Sequence, residues 1–259
     1  MSGMILFCRT NSLSYDCNLR YTPRVIPAMK INFTWQYCLG FMAFVFVFGQ
    51  LHEIAHLTAA YFVCGEPGKQ TDFNLWTLSE ACTGSPYAYV PTIFGPVFSY
   101  VMMWTGFFML RSNNKRFWPA AFVLIMGNVA FARILTAGMG GGDETTVLKV
   151  LLAGMPVLNI KAIGLVLVFA LAFPPLYMAY RRTANKHRFW LLAAFCVLPL
   201  LIMMPYEFML LGKVIKAGFM AQPHFLGIAD FIWLHSALMA VVVVILRKTL
   251  FMADAKSIT

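Results

Sequence analysis

Apolar residues fall into six long runs along the chain, separated by short polar segments. The runs cover approximately 35–63, 89–110, 117–137, 160–180, 189–211 and 228–246. An α-helix needs about 20 mostly apolar residues to cross the hydrocarbon core of a bilayer, and each run supplies close to that length. The first run is longer, so we expect it to tilt or to extend beyond the bilayer. The pattern predicts an all-α, polytopic membrane protein with about six transmembrane helices.

The composition favours the same class and argues against an ordinary soluble domain. Of the 259 residues, 60% are hydrophobic and only 12% are charged, whereas roughly a quarter of the residues in a soluble domain carry charge. The formal net charge of +10 could suggest a nucleic-acid partner, but the basic residues lie in short clusters between the apolar runs. Such clusters are typical of cytoplasmic membrane connections, so we expect no nucleic-acid partner.

The charges of the connections predict an orientation. Basic clusters lie at 111–116, 181–188 and 246–248, whereas most acidic residues of the connections lie at 64–88 and 138–159. Because basic residues are retained on the cytoplasmic side, we expect both termini in the cytoplasm and the ends of the first, third and fifth spans outside. The compact architecture favours a bacterial inner membrane.

Residues 1–34 precede the first apolar run. They lack the basic start, apolar core and small-residue cleavage site of a signal peptide. The segment that begins at Met29, MKINFTWQY, has the form of a natural start followed by the first span. We expect residues 1–34 to be a tail, with residues 1–28 either disordered in the cytoplasm or an over-extended start of the reading frame.

The first apolar run contains the sequence HEIAH, which places His52, Glu53 and His56 among apolar neighbours. On an α-helix, positions i and i+4 lie about 40° apart around the axis and about 6 Å along it, so both imidazoles face one side. Zinc binds two such nitrogens readily, and the intervening glutamate can move a proton between the activated water and the leaving amine. Ionisable residues inside a membrane span are usually functional. The motif therefore predicts a zinc site with Glu53 as general base, and helix packing by the histidines is the alternative.

A catalytic zinc site usually has three protein ligands, so the third must come from elsewhere in the chain. The third predicted span runs into GMGGGDETT, where Gly140, Gly141 and Gly142 permit a sharp turn directly before Asp143. We predict Asp143 as the third ligand, with Glu144 as its rival. A solvated turn whose acid caps a following helix would explain the same residues.

HEIAH in the first core span, then a further span, then a third that leads to glycine and aspartate, resembles the site-2 protease family of intramembrane zinc metalloproteases. The resemblance covers roughly residues 35–160. It implies a three-span core in which the two histidines and Asp143 bind zinc and Glu53 is the catalytic base. The family pattern usually has Asn and Pro upstream of Asp-Gly, whereas this chain has Asn128, no proline and the order Gly-Asp. It is therefore similar to a divergent, compact member.

The resemblance also implies how the chain is divided and what it acts on. After the tail, residues 35–160 would be the metalloprotease core, and residues 161–259 would hold accessory helices four to six and a short C-terminal tail. The implied substrate is a membrane protein or peptide that is cleaved in or next to its span. Two other classes stay open: a polytopic membrane carrier whose ionisable residues relay protons or move a metal, and a non-catalytic metal-binding scaffold.

Further polar residues lie within the apolar runs. On the third span, Asn128 could hold substrate backbone or bond a neighbouring helix. Arg133 could stabilise an oxyanion, or snorkel or form a structural ion pair. Glu207 in the fifth span could line a substrate gate or pair with Lys213 or Arg133.

Three residues further along the chain carry weaker predictions. His224, on the expected outer side, is a minor candidate for contact with the site. Asp230 and His235 are five positions apart in the sixth span, so they do not share a helix face. We expect these two in packing or gating, not as metal ligands.

The connection at 65–88 carries two further predictions. Its stretch FNLWTL (73–78) is typical of a short strand, whose edge could hold an extended substrate, or of an ordinary amphipathic loop. Cys64 and Cys82 flank this connection. If that side is oxidising they could form a disulfide; otherwise they are two free thiols.

Overall fold

Five helical stretches of the protein are long and apolar enough to cross a membrane in a computed structural model that describes residues 4–11, 14–21 and 28–252. They are Trp35–Cys64, Val90–Arg111, Lys115–Leu151, Val157–Arg182 and Arg188–Lys216. These stretches confirm the first five predicted apolar helices. The predicted sixth span at 228–246 corresponds to a helix of only 16 residues, Asp230–Ile245. A count of six spans therefore stays a prediction.

The helices and strands follow one another along the chain with short connections. The strands are β1 (Met4–Asn11), β2 (Ser14–Tyr21), β3 (Lys69–Asp72) and β4 (Leu75–Thr77). The helices are α1 (Trp35–Cys64), α2 (Val90–Arg111), α3 (Trp118–Gly127), α4 (Ala130–Met139), α5 (Asp143–Leu151), α6 (Val157–Arg182), α7 (Arg188–Met203), α8 (Gly212–Lys216), α9 (Asp230–Ile245) and α10 (Arg247–Phe251), with a π-helical segment at Met204–Leu211 between α7 and α8.

Helix α1 lies at the centre of the molecule and packs mainly against α2 and α9. Thr34 caps its N-terminus, where the Oγ1 atom accepts a hydrogen bond from the backbone N–H of Tyr37 (3.2 Å). Gly65 ends the helix in the left-handed region (φ 79°), which glycine adopts without strain. At 1.5 Å per residue its 30 residues span about 45 Å, which exceeds the bilayer core as predicted.

The third predicted span is not one continuous helix. It breaks after α3, where Val129 has a positive φ of 49°, and the Nδ2 atom of Asn128 bonds the carbonyl of Leu124 (2.7 Å). It breaks again after α4, where Gly140 (φ 81°) and Gly142 (φ 83°) turn the backbone before α5 begins at Asp143. The predicted span at 117–137 thus lies within the apolar stretch Lys115–Leu151, but it is divided at Gly127–Val129 instead of running as one helix.

The described part of the protein is mostly helical but also contains two small antiparallel strand pairs, which the prediction of an all-α protein did not include. β3 pairs with β4 around a turn at Phe73 and Asn74, next to the C-terminal half of α1. The predicted strand at 73–78 is thus shorter than expected and has a partner. Cys64 and Cys82 form the disulfide that one prediction allowed, joining the end of α1 to the following loop.

The N-terminal region contains the other strand pair, β1 with β2. The expected tail at 1–34 covers these strands and the extended residues before α1. Residues 1–3, 12–13 and 22–27 of that tail lie outside the described residues. Whether residues 1–28 belong to the natural protein stays a prediction.

Apolar side chains form two main clusters at opposite ends of α1. One joins Phe41 to Trp118, Phe122 and Phe195, and the other joins Leu57 to residues of the β3–β4 hairpin and α9. Many large apolar side chains on the outer helices are exposed instead, and α6 is typical, as Leu158, Val166, Phe169 and Phe173 illustrate. An apolar surface of this kind is what lipid contact requires, and it supports a membrane protein.

Candidate metal centre and its cavity

His52 and His56 lie on one face of α1, as their spacing predicts. Both are buried, with 8% and 1% of their surface exposed. Their Nε2 atoms are 3.1 Å apart. Two imidazole nitrogens that converge in this way can bind one metal ion.

Asp143 completes a group of three candidate ligands from a distant part of the chain. Its Oδ2 atom lies 3.3 Å from Nε2 of His52 and 3.5 Å from Nε2 of His56. The ligand atoms of the three residues all lie within 4.8 Å of one another, so they could hold a metal ion. Asp143 reaches this position because the turns at Gly140 and Gly142 direct the start of α5 towards α1.

Helix α2 orients both histidines through one stripe of residues: Pro91, Gly95 and Ser99. The Nδ1 atom of His56 lies 2.8 Å from the carbonyl oxygen of Pro91. Because a carbonyl only accepts, Nδ1 must carry the proton, which leaves Nε2 free to bind a metal. Gly95 permits the close approach, since a Cβ there would lie 2.6 Å from Cε1 of His56 and 2.7 Å from Cε1 of His52.

The Nδ1 atom of His52 has two neighbours with opposite requirements. The Oγ atom of Ser99, at 3.1 Å, can accept a hydrogen bond from Nδ1–H, whereas Nη2 of Arg133, at 2.8 Å, can only donate a hydrogen bond to Nδ1. Only the bond to Ser99 leaves the Nε2 lone pair of His52 available to a metal. Arg133 also donates a hydrogen bond to Ser99 (2.9 Å). The serine oxygen can therefore accept hydrogen bonds from both His52 and Arg133.

Arg133 and Glu144 form a buried ion pair beside the candidate ligands. Nη1 of Arg133 lies 3.2 Å from Oε1 of Glu144, which also accepts a hydrogen bond from the hydroxyl of Tyr100 (2.8 Å). Glu144 is thus engaged with Arg133 and Tyr100, and the group of candidate ligands in the described part of the chain contains Asp143 instead. The alternative that Arg133 forms an ion pair agrees with this geometry, and a role at an oxyanion stays a prediction.

Glu53 is buried beside the candidate ligands, and one of its oxygens is unsatisfied in the described part of the protein. It is 5% exposed, and its Oε2 atom has no hydrogen-bond partner among the described residues. A buried carboxylate without a partner is costly. Such a group is available to exchange protons with a molecule that enters the site.

A cavity of about 560 Å³ adjoins these residues. His52, Glu53 and Asp143 line one side, and Asn128 and Arg133 line the wall beside them. A volume of this size can hold several residues of a peptide or a small molecule. The predicted site residues thus share one cavity, except His56, which lies behind His52.

The β3–β4 hairpin covers the cavity next to His56. The ring of Trp76 stacks on the imidazole of His56 (centroids 4.8 Å apart, planes 19° apart). Gln70 fastens the hairpin to α1 through a side-chain hydrogen bond with Gln50 (2.7 Å). Gln70 also bridges to Ile228, so within the described residues β3 is covered on its outer side, whereas the outer edge of β4 is free.

Of the remaining predicted polar residues, Glu207 lines the cavity, whereas His224 and His235 lie outside its described lining. Glu207 lines the cavity, in agreement with a position at a gate, and is 6% exposed. His224 lies on the surface and bonds Asp230 (2.9 Å), away from the cavity lining. His235 packs against the rings of Phe73 and Tyr206 (4.9 and 5.8 Å), consistent with the packing role expected for it.

The sequence did not identify Pro91, Gly95, Ser99 or Tyr100 as site residues, because they form no recognised motif and meet the other site residues only through the packing of α2. Comparisons with protein-family models, with curated proteins and with solved structures found no match to this chain. The function must therefore be inferred from the geometry of the site.

Proposed function

We propose that this protein is an intramembrane zinc metalloprotease, similar in its core to site-2 proteases, which hydrolyses peptide bonds in or next to membrane-spanning substrates. The observation that carries the proposal is the convergence of His52, His56 and Asp143 beside Glu53, whose Oε2 atom has no hydrogen-bond partner among the described residues, at the wall of a cavity. This donor set, two neutral imidazoles and a carboxylate, suits zinc and also accepts iron, cobalt or manganese.

The chemistry assigned to the site is the addition of water across a peptide bond. A zinc ion, when bound, would polarise the peptide carbonyl and lower the pKa of a water molecule towards neutrality. Glu53 would accept the proton that the attacking water loses and transfer it to the nitrogen of the leaving amine as the C–N bond breaks. Arg133, which lines the cavity, is the candidate to stabilise negative charge on the carbonyl oxygen.

The hairpin offers a means of holding the substrate in an extended form. The free edge of β4 borders the cavity through Leu75 and Trp76. An extended peptide that added to this edge would bond through its backbone, next to a cavity that His52 and Asp143 also line. A helical span would have to unwind locally to bind in this way.

Metal content is the first test of the site. We expect about one zinc ion per chain in the detergent-purified protein, measured by elemental mass spectrometry. Asp143→Ala and His56→Ala should lose the metal, because each removes one of three ligands. His224→Ala is the matched control and should retain it, since the His224 side chain bonds Asp230 on the surface and does not belong to the described cavity lining. A well-folded wild type without metal would contradict the proposal and favour the carrier.

Cleavage tests the role of Glu53. The substrates would be single-span peptides in proteoliposomes, each with an apolar segment of about 20 residues and a central Gly-Pro pair that unwinds it. We expect the wild type to cleave some of them and Glu53→Gln to be at least about 100-fold slower, while its metal content is unchanged. Cleavage at the wild-type rate by Glu53→Gln would contradict the mechanism, and a metal-bound wild type that cuts nothing would favour the scaffold.

The proposed orientation gains support from the disulfide. The bond between Cys64 and Cys82 joins the C-terminal end of α1 to the next loop, and disulfides form in oxidising compartments such as a bacterial periplasm. This is the side that the charge distribution assigns to the outside. We therefore propose that the protein lies in a bacterial inner membrane with both termini in the cytoplasm.

A further inference from the structure

Glu207 lies on the wall of the cavity, in a segment with unusual backbone geometry. Residues Met204–Leu211 form a π-helical segment with Pro205 in its first turn. Wider turns of this kind occur frequently at functional sites, where they redirect a side chain. Here the side chain is 6% exposed and belongs to the lining of the cavity that also contains Glu53.

The carboxylate of Glu207 has no charged partner in the described part of the protein. Its Oε2 atom is buried and makes no hydrogen bond there. Neither of the two cations predicted as its partners pairs with it. Arg133 pairs with Glu144 (3.2 Å), and Lys213 lies exposed on α8 and belongs to none of the ion pairs among the described residues. A carboxylate in a membrane-embedded cavity is costly unless a partner arrives to compensate it.

The rest of the cavity lining favours a cation as that partner. Arg133 is the one cationic side chain among the described residues of the lining, and Glu144, Ser99 and His52 already engage it. Met203, Met204 and Phe208 add apolar surface to the lining next to Glu207 in the chain, and the carboxylate of Glu53 lies close enough to Glu207 to add negative charge there. An ammonium or guanidinium group on an otherwise apolar peptide would match this surface in both charge and hydrophobicity.

We propose that Glu207 determines the specificity of the protease by binding a lysine or arginine side chain of the substrate close to the bond that is cut. This inference rests on the proposed function, because it assigns a subsite of the same cavity. It defines the substrate class as apolar membrane segments that carry a basic residue near the cleavage site. Glu207 contacts the substrate and not the reacting atoms, so it changes selectivity among substrates.

The test compares matched peptides on two enzymes. The host is the single-span peptide with a central Gly-Pro pair, in versions that place Lys, Gln or Glu at each position of the central segment in turn. For the wild type, we expect kcat/KM of the best Lys peptide to exceed that of the matching Gln peptide by about tenfold or more. The Glu peptide should have the lowest kcat/KM. In Glu207→Gln the preference should disappear, so that the Lys and Gln peptides have about equal kcat/KM.

The ratio of two substrates on one enzyme makes the test independent of folding. A variant that is partly misfolded loses activity on both peptides equally, so the ratio is unchanged by the fraction folded. Glu66→Gln is the matched control, because it removes an exposed acid that is absent from the cavity lining, and it should retain the preference for Lys. A wild type without preference, or a preference that survives in Glu207→Gln, would overturn the proposal.

A binding measurement separates this inference from the proposed function. Fluorescent Lys and Gln peptides would be titrated onto Glu53→Gln and onto the double variant with Glu207→Gln. Tighter binding of Lys peptides to the first protein alone supports the subsite even if no peptide is ever cut. Equal binding of both peptides to both proteins overturns the subsite even if cleavage occurs.

Discussion

Ser99 shows how a single hydroxyl can decide whether a histidine is able to bind metal. Its Oγ atom is the acceptor that lets Nδ1 of His52 carry a proton, while Arg133 competes for the same nitrogen as a donor. Partners of this kind hold a ligand in one tautomer and orientation. The state of His52 therefore depends on two side chains that come from α2 and α4.

We expect Ser99→Ala to weaken zinc binding by about 10- to 100-fold, the usual cost of losing a partner that orients a ligand. Arg133 would then be the remaining neighbour of Nδ1, and it cannot accept the proton. Competition with a chromogenic chelator measures the affinity. Thr105→Ala is the control, because the Thr105 hydroxyl on the same helix bonds the carbonyl of Val101 (2.8 Å) and, among the described residues, contacts none of the candidate ligands. Equal affinity of Ser99→Ala and wild type would show that Ser99 does not orient His52.

Helix α2 brings its Pro91–Ser99 face into contact with α1 because one position has no side chain. At Gly95 the backbone of α2 lies against both imidazoles, and buried interiors leave no room for an added methyl group without displacement. The two helices thus lie in close contact at the level of the candidate metal ligands. The approach explains why α2 supplies partners to both histidines.

Gly95→Ala should therefore displace the histidines and reduce zinc affinity by about tenfold or more, since overpacking of a core costs about 1–3 kcal/mol. The chelator competition assay again provides the measurement. Gly49→Ala is the matched control, because a Cβ at Gly49, one turn before His52, meets nothing within 4 Å. Wild-type affinity in Gly95→Ala would mean that the helices can separate without moving the ligands.

The whole molecule is arranged so that the cavity lies towards one end of the helices. HEIAH lies in the C-terminal half of α1, the disulfide joins the end of that helix to the following loop, and the hairpin covers the cavity there. The opposite end carries the basic clusters at 111–116 and 181–188. This asymmetry predicts which surfaces reach each side of the membrane.

Labelling with a membrane-impermeant maleimide tests that arrangement. In intact cells we expect Lys213→Cys to react, because its exposed position lies at the disulfide-bearing end. Asn113→Cys, exposed within a basic cluster, should react only after permeabilisation, since basic connections stay in the cytoplasm. Wild type supplies the background from the native cysteines. The reverse pattern would invert the topology and place the site near the cytoplasmic face.

The sequence alone was sufficient for features that depend on neighbours along the chain. The apolar runs predicted the first five long helices, and the spacing of His52 and His56 placed both on one face, because helical periodicity is a local property. The glycine run before Asp143 correctly signalled a turn, since Gly140 and Gly142 adopt positive φ.

Tertiary packing decided the rest, because it joins residues that are far apart in sequence. Asp143 meets His52 across 91 positions, and packing directs its neighbour Glu144 to Arg133 and Tyr100 instead. The break at Val129 and the π-helical segment around Glu207 lie next to Gly127 and Pro205, which mark an irregularity without specifying its geometry. Helical periodicity is set by each segment's own backbone, whereas the convergence of ligands depends on how separate helices pack together.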